Sequence, residues 1–211
     1  LRRAAKTEMC IQLDTGMATL DEIERAVDVI RSEGNENIII HQCPSGYPAR
    51  LQSINLKVIQ TLKKKFPFPI AFSDHTPGNE MDIAAVALGA NLVEKTITEN
   101  RMTRSVEHMM SIEPQDMKRF VKTIRDVEIG LGNGRRDMTN HELLKRNLIR
   151  RSIFLTKSAK KGQRISECEI EFRRPGTGIT PDQFELIKNS ILLKDLKKGQ
   201  MLSFSDISWI E

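Results

Sequence analysis

The chain has 211 residues, of which 39% are hydrophobic and 29% charged, and its net charge of +5 arises entirely after residue 138. This balance is typical of a globular protein. No apolar run approaches the roughly 20 residues of a membrane helix, and none resembles a cleavable leader. We therefore expect a cytoplasmic protein with no membrane partner. One Trp and one Tyr provide no stacking motif for a nucleic-acid partner, and three cysteines without a C-x-x-C pair argue against a disulfide framework or a zinc knuckle.

Four strands alternate with four helices along the first 132 residues. The strands are predicted from apolar segments at residues 11–13, 38–40, 70–72 and 92–93. The helices are predicted after them, over residues 19–34 and 53–66, around residues 84–87, and over residues 114–131. The first helix begins with a capping box, in which Thr19 is followed three residues later by Glu22.

The predicted strands are apolar throughout and lie about 20–30 residues apart, which favours right-handed crossovers and a parallel sheet. The fold class is therefore α/β, and polar residues at the end of each strand are expected to form the site. Four units are compatible with a small doubly wound sheet or with half of an eight-stranded barrel. Because the chain opens within a helical segment and has no initial Met, we favour the C-terminal half of a TIM barrel.

The pattern changes to short alternating segments from about residue 150. The sequence KKGQ occurs at residues 160–163 and again at residues 197–200, which predicts two equivalent turn-and-strand units in a small β-rich domain. We expect a partial barrel over residues 1–132, a linker over residues 133–149 with little periodicity, and the second domain over residues 150–211.

Several motifs in order resemble the sialic acid synthase family (N-acylneuraminate/legionaminate synthase-like). They are QCPSGYP at residues 42–48, FSDH at 72–75, EKTIT at 94–98, EH at 107–108 and SIEP at 111–114. The sequence RRPGTGI at residues 173–179 resembles the SAF domain, which is similar to type III antifreeze protein. The resemblance implies a TIM barrel followed by a SAF domain.

That resemblance implies an enzyme that joins phosphoenolpyruvate to an N-acylated amino-sugar, giving a nonulosonic acid and phosphate. It implies a divalent metal, Mn or Mg, which polarises the sugar aldehyde. It also implies a domain-swapped homodimer, in which an arginine of the SAF domain reaches the site of the partner subunit.

Site residues follow from the matched motifs. The resemblance assigns substrate binding to Ser45, Tyr47, Ser73, Asp14 and Arg174. It assigns Glu107 to the sugar side, and we expect Glu94 and Glu107 to be the catalytic carboxylates. It assigns the metal to His75. His108 is a candidate substitute for the second ligand, and a role in a surface loop is the equal alternative.

Two substitutions depart from the family pattern. Thr96 stands where a second metal-binding histidine is expected, and a hydroxyl is a much poorer ligand than imidazole. Asp14 replaces a serine, and its carboxylate would repel a phosphate unless it binds a metal or an amino group. The pattern covers only strands five to eight of the barrel, so we predict that these 211 residues alone are inactive. A non-catalytic sugar or anion-binding homologue is the alternative.

Three other residues have less specific interpretations. We expect His41 to be a hydrogen-bonded core residue or a residue that supports a ligand from behind, and not a ligand itself, and we expect Cys43 to be a buried thiol without a nucleophilic role. Glu94 could serve in acid–base chemistry, or it could form a structural ion pair with Lys95 or another neighbour.

Overall fold

A computed structural model describes residues 1–208, and the chain forms two compact units that divide between Gly134 and Arg135. The strands of the first unit are β1 (Ile11–Asp14), β2 (Ile38–Gln42), β3 (Ile70–Asp74) and β4 (Leu92–Lys95). Its helices are α1 (Arg2–Ala5), α2 (Leu20–Arg31), α3 (Leu51–Ile54), α4 (Val58–Lys65), α5 (Glu80–Ala87), α6 (Val106–Met110) and α7 (Pro114–Leu131). No helix within residues 1–208 is long and apolar enough to span a bilayer.

The four strands form one parallel sheet in the order β1-β2-β3-β4. Each strand pairs with the next in sequence, which confirms the predicted parallel α/β architecture. The register places Asp14 opposite His41, and it places Ser73 opposite Glu94. Polar residues of all four strands therefore meet at the carboxyl edge of the sheet.

The two faces of this sheet have different roles. Alternate strand residues, including Ile38, Ile40, Ile70 and Phe72, belong to the buried core that also contains Ile59 and Leu62 of helix α4. Because successive side chains of a strand point to opposite faces, the residues between them face away from these helices. Asp14, His41, Ser73 and Glu94 occupy that second face.

Local sequence signals set the ends of the helices. The predicted capping box of α2 is confirmed, since the Thr19 side chain accepts from the Glu22 amide and the Glu22 carboxylate accepts from the Thr19 amide. The helix predicted over residues 53–66 is instead two helices, α3 and α4. Asn55 between them has a φ of 45°, a left-handed conformation that ends α3.

The second unit is a small β-rich domain. It contains α8 (Asn140–Ile149), β5 (Ser152–Leu155), β6 (Ile170–Arg173), α9 (Phe184–Ile187), β7 (Ile191–Leu192) and β8 (Ile207–Ser208). Strand β5 pairs antiparallel with β6, and β7 pairs antiparallel with β8. Ile153, Leu155, Ile165, Ile179 and Leu202 are among the residues of its fully buried core.

The repeated KKGQ sequence forms two equivalent turns. Gly162 and Gly199 adopt φ values of 84° and 82°, which favour glycine. In both copies the glutamine side chain accepts from the amide of the first lysine. The residues just before the two copies, Ala159 and Leu196, form an antiparallel bridge with two 2.9 Å hydrogen bonds. The repeat therefore builds a pair of turns that hydrogen-bond to each other.

The segment expected to be a linker is helical over most of its length. Helix α8 occupies Asn140–Ile149, because Thr139 and Glu142 form a capping box with each other's backbone amides. None of its residues is buried, which explains why the segment shows little apolar periodicity.

Candidate active site

Asp14, His41 and Glu94 form a compact group at the carboxyl edge of the sheet. The His41 Nδ1 atom lies 3.6 Å from the Asp14 Oδ1 atom and 3.5 Å from the Glu94 Oε2 atom. One ligand atom from each residue lies within 4.8 Å of the other two. Both carboxylates are more than half exposed, whereas the His41 side chain is fully buried. The group can therefore bind a ligand that approaches from the exposed side.

His41 is buried as expected, but the expectation that it is satisfied by hydrogen bonds is wrong. Neither ring nitrogen has a hydrogen-bond partner among the described residues. The sequence does indicate that His41 lies at the edge of the sheet, because it follows three isoleucines near the end of β2. Asp14 has the matching position at the end of β1. The register of β1 and β2 then sets the two side by side.

Ser73 links this group to the neighbouring strand. Its hydroxyl donates to the Glu94 Oε1 atom at 2.9 Å and is itself buried. Glu94 makes no ion pair with Lys95, because the Lys95 ammonium lies on the other face, next to Asp74 and Asp82. The neighbour that Glu94 approaches is His41 instead, and its acid–base role stays a prediction.

Cys43 lies beside the same group as a half-buried thiol. Burial raises its pKa, and the negative charges of Asp14 and Glu94 raise it further, against the effect of a hydrogen bond with Ser73. The thiol therefore stays protonated at neutral pH, which agrees with the expectation that Cys43 has no nucleophilic role.

His75 is held by two contacts beyond the end of β3. Its Nδ1 atom lies 2.8 Å from the Pro44 carbonyl oxygen, and its ring stacks on Tyr47 with centroids 4.3 Å apart and an interplanar angle of 25°. A histidine that donates Nδ1–H to a backbone carbonyl presents its Nε2 lone pair, as metal-binding histidines do. His75 is 6% exposed, so this orientation is fixed by packing.

Tyr47 and Ser45 line an open cleft of about 570 Å³, together with Cys43, Gly16, Arg50 and Ser53. Desolvation raises the pKa of the Tyr47 hydroxyl, and the negative charges of Glu107, Asp14 and Glu94 raise it further. Tyr47 and Ser45 thus share the cleft, whereas Glu107 is an exposed residue of helix α6, and its place on the sugar side stays a prediction.

Thr96 and His108 lie among the loops that follow β4. The Thr96 hydroxyl is buried and has no hydrogen-bond partner among the described residues. His108 belongs to helix α6, and its Nδ1 atom lies 2.5 Å from the Thr98 hydroxyl. The metal-ligand group found within residues 1–208 contains neither predicted ligand, His75 or His108. Metal binding by these two histidines stays a prediction.

Arg174 belongs to the second unit and is exposed. Its Nε atom donates to the Ile149 carbonyl oxygen at 2.9 Å, which fixes the base of the guanidinium. Its proposed reach into the site of a partner subunit stays a prediction.

A buried charge cluster, which the sequence analysis missed, supports the site from behind. The Lys95 ammonium contacts the Asp74 carboxylate, donates to the Thr76 carbonyl oxygen at 2.5 Å and lies 3.6 Å from Asp82 Oδ2. Burial, with the charge of Asp74, raises the pKa of Asp82 to about 8. Asp74 also accepts from the Thr76 amide at 2.9 Å. These bonds hold the ends of the loop that carries His75.

Comparisons with known proteins match both units of the chain. The NeuB family model matches residues 1–136, and the SAF domain model matches residues 150–208. The chain is 36% identical over 98% of its length to an N,N'-diacetyllegionaminic acid synthase of Legionella pneumophila, of which it covers 59%. The chain thus spans about three fifths of the length of this curated relative.

Two solved structures are similar in fold. A sialic acid synthetase of Leptospira borgpetersenii superimposes with a TM-score of 0.63 and 33% identity, over 68% of this chain and 50% of that one. The spore coat polysaccharide biosynthesis protein SpsE of Bacillus subtilis gives a TM-score of 0.59 and 31% identity, over 100% of this chain and 64% of that one.

Proposed function

The chain belongs to the NeuB family, and from this we propose that its natural gene product joins phosphoenolpyruvate to an N-acylated amino-sugar, releasing phosphate. The predicted family and fold class, part of a TIM barrel followed by a SAF domain, are confirmed. Its relatives are synthases of nonulosonic acids, and we propose a product of that class.

One observation carries the proposal: polar side chains from all four parallel strands meet at the carboxyl edge of the sheet, next to an open cleft. This is the edge at which TIM-barrel enzymes place their active sites. The carboxylates of Asp14 and Glu94 converge there on the side chain of His41, and the hydroxyl of Ser73 donates to Glu94. An apolar core would need none of these groups.

In the proposed reaction, C3 of phosphoenolpyruvate bonds to the aldehyde carbon of the open-chain sugar, and the aldehyde oxygen takes up a proton. Water adds at C2, the C–O bond to the phosphate breaks, and inorganic phosphate leaves. We assign the proton transfers to Glu94, which is half exposed and accepts a hydrogen bond from the Ser73 hydroxyl. Ser73 would contact phosphoenolpyruvate from the same position.

The sugar would occupy the side of the site formed by Ser45, Tyr47 and Glu107. The cleft beside Tyr47 is open, and hydroxyl and carboxylate groups hydrogen-bond to sugar hydroxyls. Arg174 would contribute a cation from the SAF domain of a partner subunit in a domain-swapped homodimer. We propose Glu107 as the second catalytic carboxylate.

The donor groups present are suited to a divalent ion. His75 would hold an ion through Nε2, because Pro44 holds its Nδ1. Asp14 and Glu94 present carboxylate oxygens, which suit Mn²⁺ and Mg²⁺, in a group that contains His41 but not His75. A bound ion would supply a Lewis acid for the sugar carbonyl. His108 would contribute through Nε2, since its Nδ1 is engaged by Thr98.

Phosphate release tests the proposal directly. The natural gene product that contains these residues is incubated with phosphoenolpyruvate, Mn²⁺ and a panel of N-acylated amino-sugars, and free phosphate is measured. We expect release only when phosphoenolpyruvate and an acceptor sugar are both present. Sugar binding by calorimetry without any phosphate release would instead establish a non-catalytic binding homologue.

The 211 residues alone serve as the comparison. Within the described part of the chain, strands β1 and β4 are the outer strands of the sheet, each with one neighbour. A four-stranded sheet does not enclose its site as a closed barrel does, so we predict no phosphate release by these residues alone. Turnover by the isolated 211 residues would contradict this prediction and leave the proposed reaction intact.

A further inference from the structure

We propose that Asp14, His41 and Glu94 form a divalent-cation site that does not require His75. This deepens the proposed function, since the three residues border the same site, but binding of the cation can be measured without any substrate. The inference depends on the geometry and burial of these side chains.

The geometry matches a small cation bound from the exposed side. Around Mg²⁺, with ligands at about 2.1 Å, adjacent ligand atoms of an octahedron lie about 3 Å apart. The two His41–carboxylate distances are 3.5 and 3.6 Å. The Asp14 and Glu94 side chains are 61% and 54% exposed. Both can therefore rotate, which would move their carboxylate oxygens the few tenths of an ångström closer to His41 that coordination requires.

His41 supplies the second, independent observation. Its side chain is fully buried, both ring nitrogens lack hydrogen-bond partners among the described residues, and Nδ1 faces the two carboxylates. A buried polar group without a partner destabilises the fold, because it has lost its hydrogen bonds to water. A cation bound between His41 and the carboxylates would provide Nδ1 with a partner and neutralise two adjacent negative charges.

The donor set indicates which cation to use as a probe. Imidazole suits transition metals, whereas carboxylate oxygens suit Mg²⁺, Ca²⁺ and Mn²⁺. One imidazole and two carboxylates together favour Mn²⁺ over Mg²⁺. Three protein ligands on one side leave coordination positions for water or substrate on the exposed side.

An imidazolium at His41, paired with both carboxylates and with no metal, is the competing explanation. It would also account for the short distances, but it predicts that the group binds no Mn²⁺. A measurement of Mn²⁺ binding therefore separates the two.

The test measures Mn²⁺ binding to the 211-residue chain by electron paramagnetic resonance of the free ion and by calorimetry. We expect Asp14→Asn and His41→Gln to weaken the binding of one Mn²⁺ by at least about tenfold. His75→Gln should retain one bound Mn²⁺, and Asp28→Asn, on the exposed side of α2, is the matched control for removal of a carboxylate.

Because Asp14 is exposed, its variant keeps the test valid even if the buried His41 variant misfolds, which circular dichroism would reveal. Unchanged Mn²⁺ binding in Asp14→Asn, no Mn²⁺ binding by the parent chain, or loss of all binding in His75→Gln would each overturn the inference. Mn²⁺ binding at this group without phosphate release by the natural gene product would contradict the proposed function alone.

Discussion

Replacing Asp82 by Asn should remove a pH-dependent loss of stability. Asp82 is completely buried behind the sheet, and Lys95, the cation beside it, is closer to Asp74. Its pKa is raised from 3.8 to about 8, so the folded state retains a proton that the unfolded state releases above pH 4. Folding is therefore favoured less as the pH rises between these two values.

The size of the effect follows from the shift in pKa. Between the unfolded and folded pKa values, a single such group changes the free energy of unfolding by about 1.4 kcal/mol per pH unit. From pH 5.5 to pH 7.5 the parent chain should lose about 2–3 kcal/mol relative to Asp82→Asn, whose amide has no charge to bury. Above pH 8 the difference should level off.

Urea unfolding of both proteins, followed by circular dichroism at half-unit steps from pH 5 to pH 9, measures this difference. The sign is the decisive outcome: Asp82→Asn should gain stability relative to the parent as the pH rises. A constant difference across the range would mean that Asp82 has the same charge in both states, which would refute the argument from burial.

Three further substitutions test other parts of the structure. Lys95→Met leaves the buried Asp74 carboxylate without its cation and should cost about 3–5 kcal/mol in urea unfolding. Lys122→Met on the surface should change stability by less than about 1 kcal/mol, and equal effects of the two substitutions would disprove the role of burial. Gly178→Ala places a methyl group 2.6 Å from a backbone oxygen and should destabilise the second unit by about 1–3 kcal/mol. In the control Gly130→Ala the added methyl group meets nothing within 4 Å, so this substitution should be tolerated. If thermal unfolding shows that Gly178→Ala is also tolerated, the close packing at Gly178 is contradicted. Ser73→Ala removes a hydrogen bond to the Glu94 carboxylate, and such a bond contributes about 1.5–3 kcal/mol. The rate of phosphate release by the natural gene product should therefore fall about 10- to 100-fold. An unchanged rate would exclude Ser73 from the site.

The sequence was sufficient to predict the parallel sheet and the edge where the site lies. The carboxyl ends of parallel strands all lie at one edge of the sheet, so polar residues that follow apolar strands must lie there as well. Asp14, Ser73 and Glu94 do lie at that edge, as the sequence predicts. The capping box of α2 and the paired turns at Gly162 and Gly199 were equally local signals.

Features that depend on which strand face a residue occupies were harder to predict. His41 follows three isoleucines and looks like part of the core, but the pleat turns it towards Asp14 while its two neighbours face the helices. Lys95 and Asp82 are far apart in sequence, and their pairing depends on how α5 packs behind β4. Helix α8 was missed because it buries no residue and so leaves no apolar pattern.

Transfer of carbon from phosphoenolpyruvate to a sugar tests the central claim most directly. The natural gene product is incubated with ¹³C-labelled phosphoenolpyruvate, Mn²⁺ and an N-acylated amino-sugar. The products are then separated, and their masses are measured by mass spectrometry. The account predicts a labelled acid with the combined mass of the sugar and pyruvic acid, formed in equal amount to phosphate. Label found only in pyruvate or in unreacted phosphoenolpyruvate, with every acceptor sugar tried, would contradict it.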